Sequence, residues 1–484
     1  MDVKWGWGSR RAVHRGRLVA MLVLAPLLSG CLATTETAND PVTDVPPVYR
    51  AATGAPKAAL PQQDWWRGFR SRELTELVER AHLDNLDIAA AVARIEQADA
   101  QTRIAGAALL PLVTFDGSAT RSGVGKAPGT STFSTVLNAS YEIDLWGKNR
   151  AALRAAEYTA VASRFDREVI VLSTVATVIN TYFQILAAQD RLAIARDNVA
   201  AATRILNVYQ QRSSAGTASG LDLAQQQSLL AQQRAMIPPL DQTLRQNIAT
   251  LAVLIGEAPA RLTVRGGSLQ RIVPQRVTPG LPSDLLLQRP DIREAEAQLA
   301  AADANVDNAR AALFPSIQLT GQGGFVSAAL QTLIMPQSAI YSATASLSQP
   351  IFDGFRLWST LEAQKGRRTE LLQDYRKAIL SGFADVERAL IAIRDLTEQE
   401  RLQIEAVATA RRAYELSETQ LTAGTIDITT VLNTQKTLFQ EQDQLVVVRL
   451  TRMQAIVSLF QALGGGWVIP EDLANARSPL RASK

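Results

Sequence analysis

A single thiol is the one obviously reactive side chain in this sequence. Cys31 is the only cysteine among 484 residues, and it follows Leu28-Ser29-Gly30. Ahead of that box lie Lys4, Arg10, Arg11, Arg15 and Arg17, then the apolar run Leu18–Leu28. A basic region, a short apolar region and small residues make 1–30 a secretory signal peptide. The apolar run is too short to span a bilayer. The box resembles the bacterial site at which a cysteine sulfur takes a thioether-linked diacylglycerol and the freed amine is acylated. Cys31 is therefore the lipidation candidate, and its chains exceed the two signals that stable anchoring needs. Leu32, not Asp, follows it. In lipoproteins of this type that implies sorting to the outer membrane.

Other chemistry is missing from the sequence. His14 lies in the signal, and His82 stands alone on a short helix, where packing is the simpler role. With Cys31 lipidated, no Cys/His set remains for zinc. Neither a Walker-type phosphate loop nor a nucleophile elbow is present. No spacing selects any of the carboxylates. The expectation is no metal, no cofactor and no enzyme. The pI of 9.2 is misleading as well. Removing five basic and one acidic residue of 1–30 from totals of 50 and 46 leaves 45 of each. Nucleic-acid binding gains no support from a neutral mature chain.

The elements that must position any function come in two copies. Ala108-Leu109-Leu110-Pro111 and Ala312-Leu313-Phe314-Pro315 recur 204 residues apart. Each ends a short helix, because Pro cannot continue one, and each opens an alternating strand. In the first copy the helices are expected at 73–82 and 86–108, separated by Asn85. A strand over 112–120, a loop over 121–132 and a second strand from Phe133 follow. Val113, Phe115, Leu137, Ala139, Tyr141 and Ile143 share one face, and Thr114, Asp116, Ser134, Asn138 and Ser140 the other. In the second copy Ile317, Leu319, Phe325, Tyr341, Ala343 and Leu347 alternate with Gln318, Thr320, Gln322, Ser342 and Thr344. Gly321–Gly324 inside this pattern reads as a bend or a close approach. One apolar and one Ser/Thr/Gln face fit a membrane barrel with lipid outside and water inside. A soluble antiparallel sheet with one wet face fits the same alternation. The lipidation signal and the weakly charged polar face favour the membrane.

Gly147 and Gly354 each open a very long helix, expected over 148–213 and 355–421. Phe165, Val169, Leu172, Ala176, Ile179, Phe183 and Leu186 keep strict 4-3 spacing, the seam of a left-handed coiled coil. Each long helix stops at a glycine turn, Ala215-Gly216-Thr217 or Ala423-Gly424-Thr425, offset by 208. Ser219 and Asp427 are placed to cap the returning helices, which end near Ile255-Gly256 and Leu463-Gly464. Four strands cannot close a barrel, and open edges are not tolerated in lipid. Three chains supply twelve strands, and twelve long helical segments for a tube below them.

Ser140–Gly147 (SYEIDLWG), Leu285–Arg293 (LLLQRPDIR), Ala311–Pro315 (AALFP), Gln349–Gly354 (QPIFDG) and the two tip turns together resemble the TolC-like outer-membrane factors, in their NodT-type lipoprotein branch. The resemblance covers about 64–466. It implies a mainly α fold with β: duplicated long-helix hairpins forming a periplasmic α-barrel, and four strands of a shared twelve-stranded outer-membrane barrel in a homotrimer. It further implies a passive efflux duct that meets a periplasmic adaptor and an inner-membrane pump of the resistance-nodulation-division type. Members narrow the periplasmic exit with polar and acidic rings. The matching positions here are Thr430 and Asn433, followed by Lys436, where other members carry two aspartates at the first two. The first-repeat counterparts are Asp222, Gln225 and Ser228. Loss of the double acidic ring implies weaker cation selectivity. Gly216, Thr217, Gly424 and Thr425 are the implied adaptor-docking tips.

The expected organisation is a signal peptide (1–30), a lipid-anchored linker (31–62), a first repeat (63–255), a connector (256–290), a second repeat (291–466) and a tail (467–484). The location is the outer membrane, in contact with its lipid, with helices in the periplasm. Two other readings stay open: a duct for protein secretion, and a non-transporting lipid-anchored coiled-coil scaffold.

Overall fold

The computed structural model describes residues 46, 48–51, 61–126, 128–274, 280 and 282–468. The signal peptide, Cys31, much of the linker and residues 469–484 lie outside the described residues. A short 3-10 turn at Trp65–Phe69 leads into α1 (Arg72–Asp84) and α2 (Leu86–Ala107), then β1 (Leu112–Ser122) and β2 (Thr130–Ile143). The helical hairpin follows as α3 (Lys148–Ser214), α4 (Gly220–Ala235) and α5 (Ile237–Leu254). The second half runs through α6 (Pro282–Gln288), α7 (Pro290–Ala311), β3 (Ser316–Ser327), β4 (Ala339–Ser348), α8 (Arg356–Thr422) and α9 (Ile428–Ala462).

The strands form one antiparallel sheet in the order β1-β2-β3-β4. Its register aligns the apolar positions across all four. Phe115 pairs with Leu137, Tyr141 with Leu319, and Leu319 with Ala345. The opposite face aligns Thr114 with Asn138, Asn138 with Gln322, and Gln322 with Ser342. A one-residue slip would send every apolar side chain to the polar face, so alternation holds the register. Hydrogen bonds knit the polar face: Asn138 Nδ2 donates to Asp116 Oδ2 at 2.6 Å, and the Ser118 and Ser134 hydroxyls meet at 2.8 Å. Gly324 is a close approach, since an added Cβ would lie 2.8 Å from Val136 Cγ1 and closer still to the Thr135 carbonyl. Gly321 and Gly323 face open space instead. The first inter-strand loop is shorter than expected, because Ser122 still pairs with Thr130. Ser and Thr there take the ladder rather than the turn.

Each long helix has 67 residues and reaches about 100 Å. Gly147 at φ 78° turns the chain into α3. At α8 the turn uses both Gly354 and Phe355, at φ 68° and 65°. One face of α8 turns inward, with Ile379, Gly382, Val386 and Ala389 buried at 3-4 spacing. The α3 seam is not a narrow stripe. Its middle is buried almost all round, including Thr174, Val175, Val178, Tyr182 and Ile185. The reason is company: α1, α2, α4, α5, α7 and α9 all pack against this one helix. The largest apolar cluster surrounds that stretch, where Trp65 stacks on Phe460 at 4.3 Å and Phe69 meets Phe183 edge-on at 5.2 Å. The tryptophan therefore packs.

The first return is two helices, not one. Pro238 and Pro239 lack amide donors, so the ladder breaks at Met236 between α4 and α5. The second return, α9, has no proline and runs 35 residues unbroken.

Candidate functional site

The two hairpin tips are built alike. At the first, the Gly216 amide donates to Ser213 O at 3.0 Å and the Thr217 amide to Arg212 O at 2.8 Å. At the second, Gly424 donates to Leu421 O at 3.1 Å and Thr425 to Gln420 O at 3.0 Å. These paired bonds close a helix end through a left-handed glycine, φ 73° and 71°, a conformation that spares only glycine a Cβ clash. Each threonine hydroxyl donates to the same carbonyl as its amide, at 2.9 and 3.1 Å. The return helices start within three residues. Ser219 and Asp222 form a reciprocal capping box, and Asp427 accepts from the Thr430 amide at 3.0 Å.

The tips lie side by side. Ile205 and Tyr209 of α3 are buried with Ile428, Val431 and Phe439 of α9, and Leu223 of α4 packs against them. Burial first, then the charges of Asp222 and Asp427, push the Tyr209 phenol up despite the opposing pull of Arg212. The carboxylates that start the two return helices, Asp222 and the N-cap Asp427, thus act on one tyrosine. Thr430, Asn433 and Lys436 are exposed at a spacing of three on α9, and Asp222 and Gln225 are half-buried on α4. Asp222 spends its carboxylate on the cap, accepting from the Ser219 amide at 3.1 Å. The hydrogen bonds from Thr430 hold the Asp427 carboxyl below its usual range. Cys31 lies outside the described residues.

Three polar anchors behind the tips escape sequence reading. Arg191 forks onto Asp443 at 2.6 and 2.9 Å, joining α3 to α9. Glu400 of α8 is buried and accepts from Arg449 at 2.9 Å and Arg452 at 2.5 Å of α9. Arg289, in the quoted LLLQRPDIR stretch, bonds Asp291 at 2.6 Å, Asp385 at 3.2 Å and the Ala462 carbonyl at 3.2 Å. Its repeat partner was the available signal. Asn85, 204 residues earlier, donates to the Leu254 carbonyl at 2.8 Å. Leu254 and Ala462 are themselves offset by 208.

Glu294 of α7 borders a cavity with Asp166, Gln298 and Arg367. Burial, then the nearby Asp166 and Asp291, push its carboxyl up to about 7 from 4.5. The native state thus favours the protonated form. Stability is highest below about pH 4.5 for this group and declines as pH rises to about 7. The group is half-exposed, so solvent screening leaves an effect on the order of 1 kcal/mol. Glu294→Gln is expected to flatten the melting temperature between pH 5 and 8, relative to the parent protein, in a thermal scan at several pH values.

A family model described as outer membrane efflux protein matches this chain twice, over residues 77–257 and 281–465. The chain belongs to the outer membrane efflux protein family. The two matches coincide with the two hairpin-bearing halves. The chain is 40% identical over 458 residues to the pyoverdine export outer membrane protein OpmQ of Pseudomonas aeruginosa, covering 92% of this chain and 96% of that one. It is 30% identical over 455 residues to a probable outer membrane lipoprotein, SilC, of Salmonella typhimurium, covering 91% and 97%. The solved outer-membrane channel OprN superposes with a TM-score of 0.82 at 26% identity, covering 88% and 99%. This outer membrane efflux protein is thus an outer-membrane channel, a passive duct rather than an enzyme. Members of the family form trimers and work in tripartite efflux systems.

Proposed function

We propose that three copies of this chain form one exit duct, fed by a periplasmic adaptor and a resistance-nodulation-division pump, for small molecules related to the pyoverdine that OpmQ exports. The observation that carries the reading is the sheet. Its apolar face is exposed, with Phe115 at 71% and Leu347 at 70%, and among the described residues β1 and β4 have no outer neighbour. Only closure with further copies satisfies such edges in lipid. The energy comes from the pump, because a passive tube supplies none.

In this reading Cys31 carries the lipid, supported by the processing box and by the likeness to a probable lipoprotein. The linker 31–62 joins that anchor to a first repeat, 63–255. The connector 256–290 leads to the second repeat, 291–466, and a tail, 467–484, follows. Gly216, Thr217, Gly424 and Thr425 form the rim that an adaptor meets, because their turns end both hairpins in a compact, small-residue surface. The stripe of Asp222, Gln225, Thr430, Asn433 and Lys436 lines the constriction. Its acidic member is committed to a cap and its central ring is neutral. Asn433→Asp adds three carboxylates to that ring in a trimer, so cation over anion selectivity is expected to rise several-fold in planar-bilayer recordings. Unchanged reversal potentials would remove Asn433 from the pore.

The function is tested by comparing a strain lacking the gene with one that carries it back. The expected result is accumulation of a pyoverdine-like compound, dyes or antibiotics inside the deleted strain and relief on complementation. A secretion role predicts instead the loss of an exported protein with small-molecule levels unchanged.

A further inference from the structure

Two copies of one helix keep different company. α7 is sandwiched between α3 of the first half and α8 of its own. Ten of its residues are buried, among them Ala297, Ala301 and Val306. Its counterpart α2, 204 residues earlier, packs mainly on α3, and only Ile88 and Ala91 are buried. Val92 and Ile104 of α2 stay 41% and 63% exposed.

The junction that α2 lacks is present once inside the chain. There, α3 meets α7, and Arg154 pairs with Asp307 at 3.4 Å. Moving α3 forward by 208 residues gives α8, and moving α7 back by 204 gives α2. Arg154 then becomes Glu362, and Asp307 becomes Arg103. The charges exchange sign and stay complementary. Both residues are exposed, and neither makes a salt bridge to another described residue.

We infer that α2 of one copy docks on the N-terminal end of α8 of a second copy, with Arg103 and Glu362 paired across the junction. The inference rests on the multi-copy duct proposed above. A neighbouring contact changes character. Within the chain the Asn308 amide donates to the Lys148 carbonyl at 2.8 Å. The shifted position of Asn308 is Ile104. Trp358, 60% exposed, sits four residues before Glu362 and on its face. Lys148 shifts to Arg356, so this hydrogen bond has no direct counterpart, and the junction between chains carries the apolar Ile104 and Trp358 beside the ion pair. The sheet selects the same neighbour, since β2 pairs β3 within the chain and the counterpart of that pairing is β4 of one copy with β1 of the next.

The test uses the full-length trimer. Cys31, when lipidated, has no free thiol, so R103C/E362C carries only the two introduced ones. A short bis-maleimide is expected to give covalent dimers and trimers from the double variant on a denaturing gel and none from either single variant. R103E and E362R are each expected to weaken assembly about tenfold by opposing like charges, and R103E/E362R to restore it. Uncrosslinked chains from a sample that light scattering reports as trimeric would overturn the contact while leaving the duct intact. A monomer in light scattering would overturn the duct and the contact with it. Single reversals without effect on assembly would also overturn the pairing.

Discussion

Leu137→Arg is expected to deplete the protein from the outer membrane, and Asn138→Arg to leave it there. The two residues are neighbours near the middle of β2. Leu137 aligns with Phe115 and Gly323 on the apolar face, and Asn138 with Thr114 and Gln322 on the polar one. An arginine on the lipid face near the bilayer midplane costs about 2–4 kcal/mol. A closed barrel of several copies incurs that cost once per copy, which rivals the whole stability of a folded domain. On the other face an arginine meets water and Asp116, which already accepts from Asn138. The check is the amount of heat-resistant oligomer in outer-membrane fractions of the two variants. Equal loss from both would mean that both faces are packed, and equal retention that neither meets lipid.

Arg289→Ala is expected to destabilise the chain by about 2 kcal/mol, below the range for a fully buried charge cluster because the Asp291 and Asp385 carboxylates it leaves are over a third exposed. Its side chain is only 11% exposed. Burial alone works against its charge, but the carboxylates of Asp291 and Asp385 outweigh it and hold the guanidinium charged more firmly than usual. Alanine would deprive Asp291 of this partner, leave Asp385 to Arg388 alone, and leave the Ala462 carbonyl without this donor. Arg289→Lys keeps the charge but loses the fork that grips Asp291, so an intermediate loss is expected. Chemical denaturation of the purified channel, read by helix signal, measures both. A loss for alanine below 1 kcal/mol would place Arg289 among ordinary surface ions.

Leu137, Asn138 and Arg289 show how legibility is divided. The sheet was readable from single residues because a strand exposes its logic at period two. Leu137 and Asn138 announce opposite faces without reference to any partner. The tips were readable because Gly216 and Gly424 recur at a fixed offset beside capping residues. Arg289 was visible only as part of a recurring motif. Its partners Asp385 and Ala462 lie 96 and 173 residues away, and no local period points to them. The break at Met236 was legible in Pro238-Pro239 but was hidden by the expectation that both returns match. The α3 seam showed the opposite limit. Its 4-3 spacing was real, yet Val175, Val178 and Ile185 off the seam are buried too, because six helices pack along it. Sequence spacing describes one neighbour well and a crowd badly.

The equal length of α3 and α8 has a consequence for how such a chain can change. Each has 67 residues and ends two residues before its tip glycine. Deleting seven residues from one alone would retract its loop by about 10 Å and leave its twin protruding. The far end of the tube would become crenellated, with every second tooth missing. Removing seven from both would shorten the tube and keep its edge level. Insertions and deletions in the two hairpins are therefore admissible only as matched pairs, while single substitutions are not so bound. Lineages of such chains can drift apart in composition between halves, as Asp222 and Thr430 have, yet must inherit changes of length in tandem.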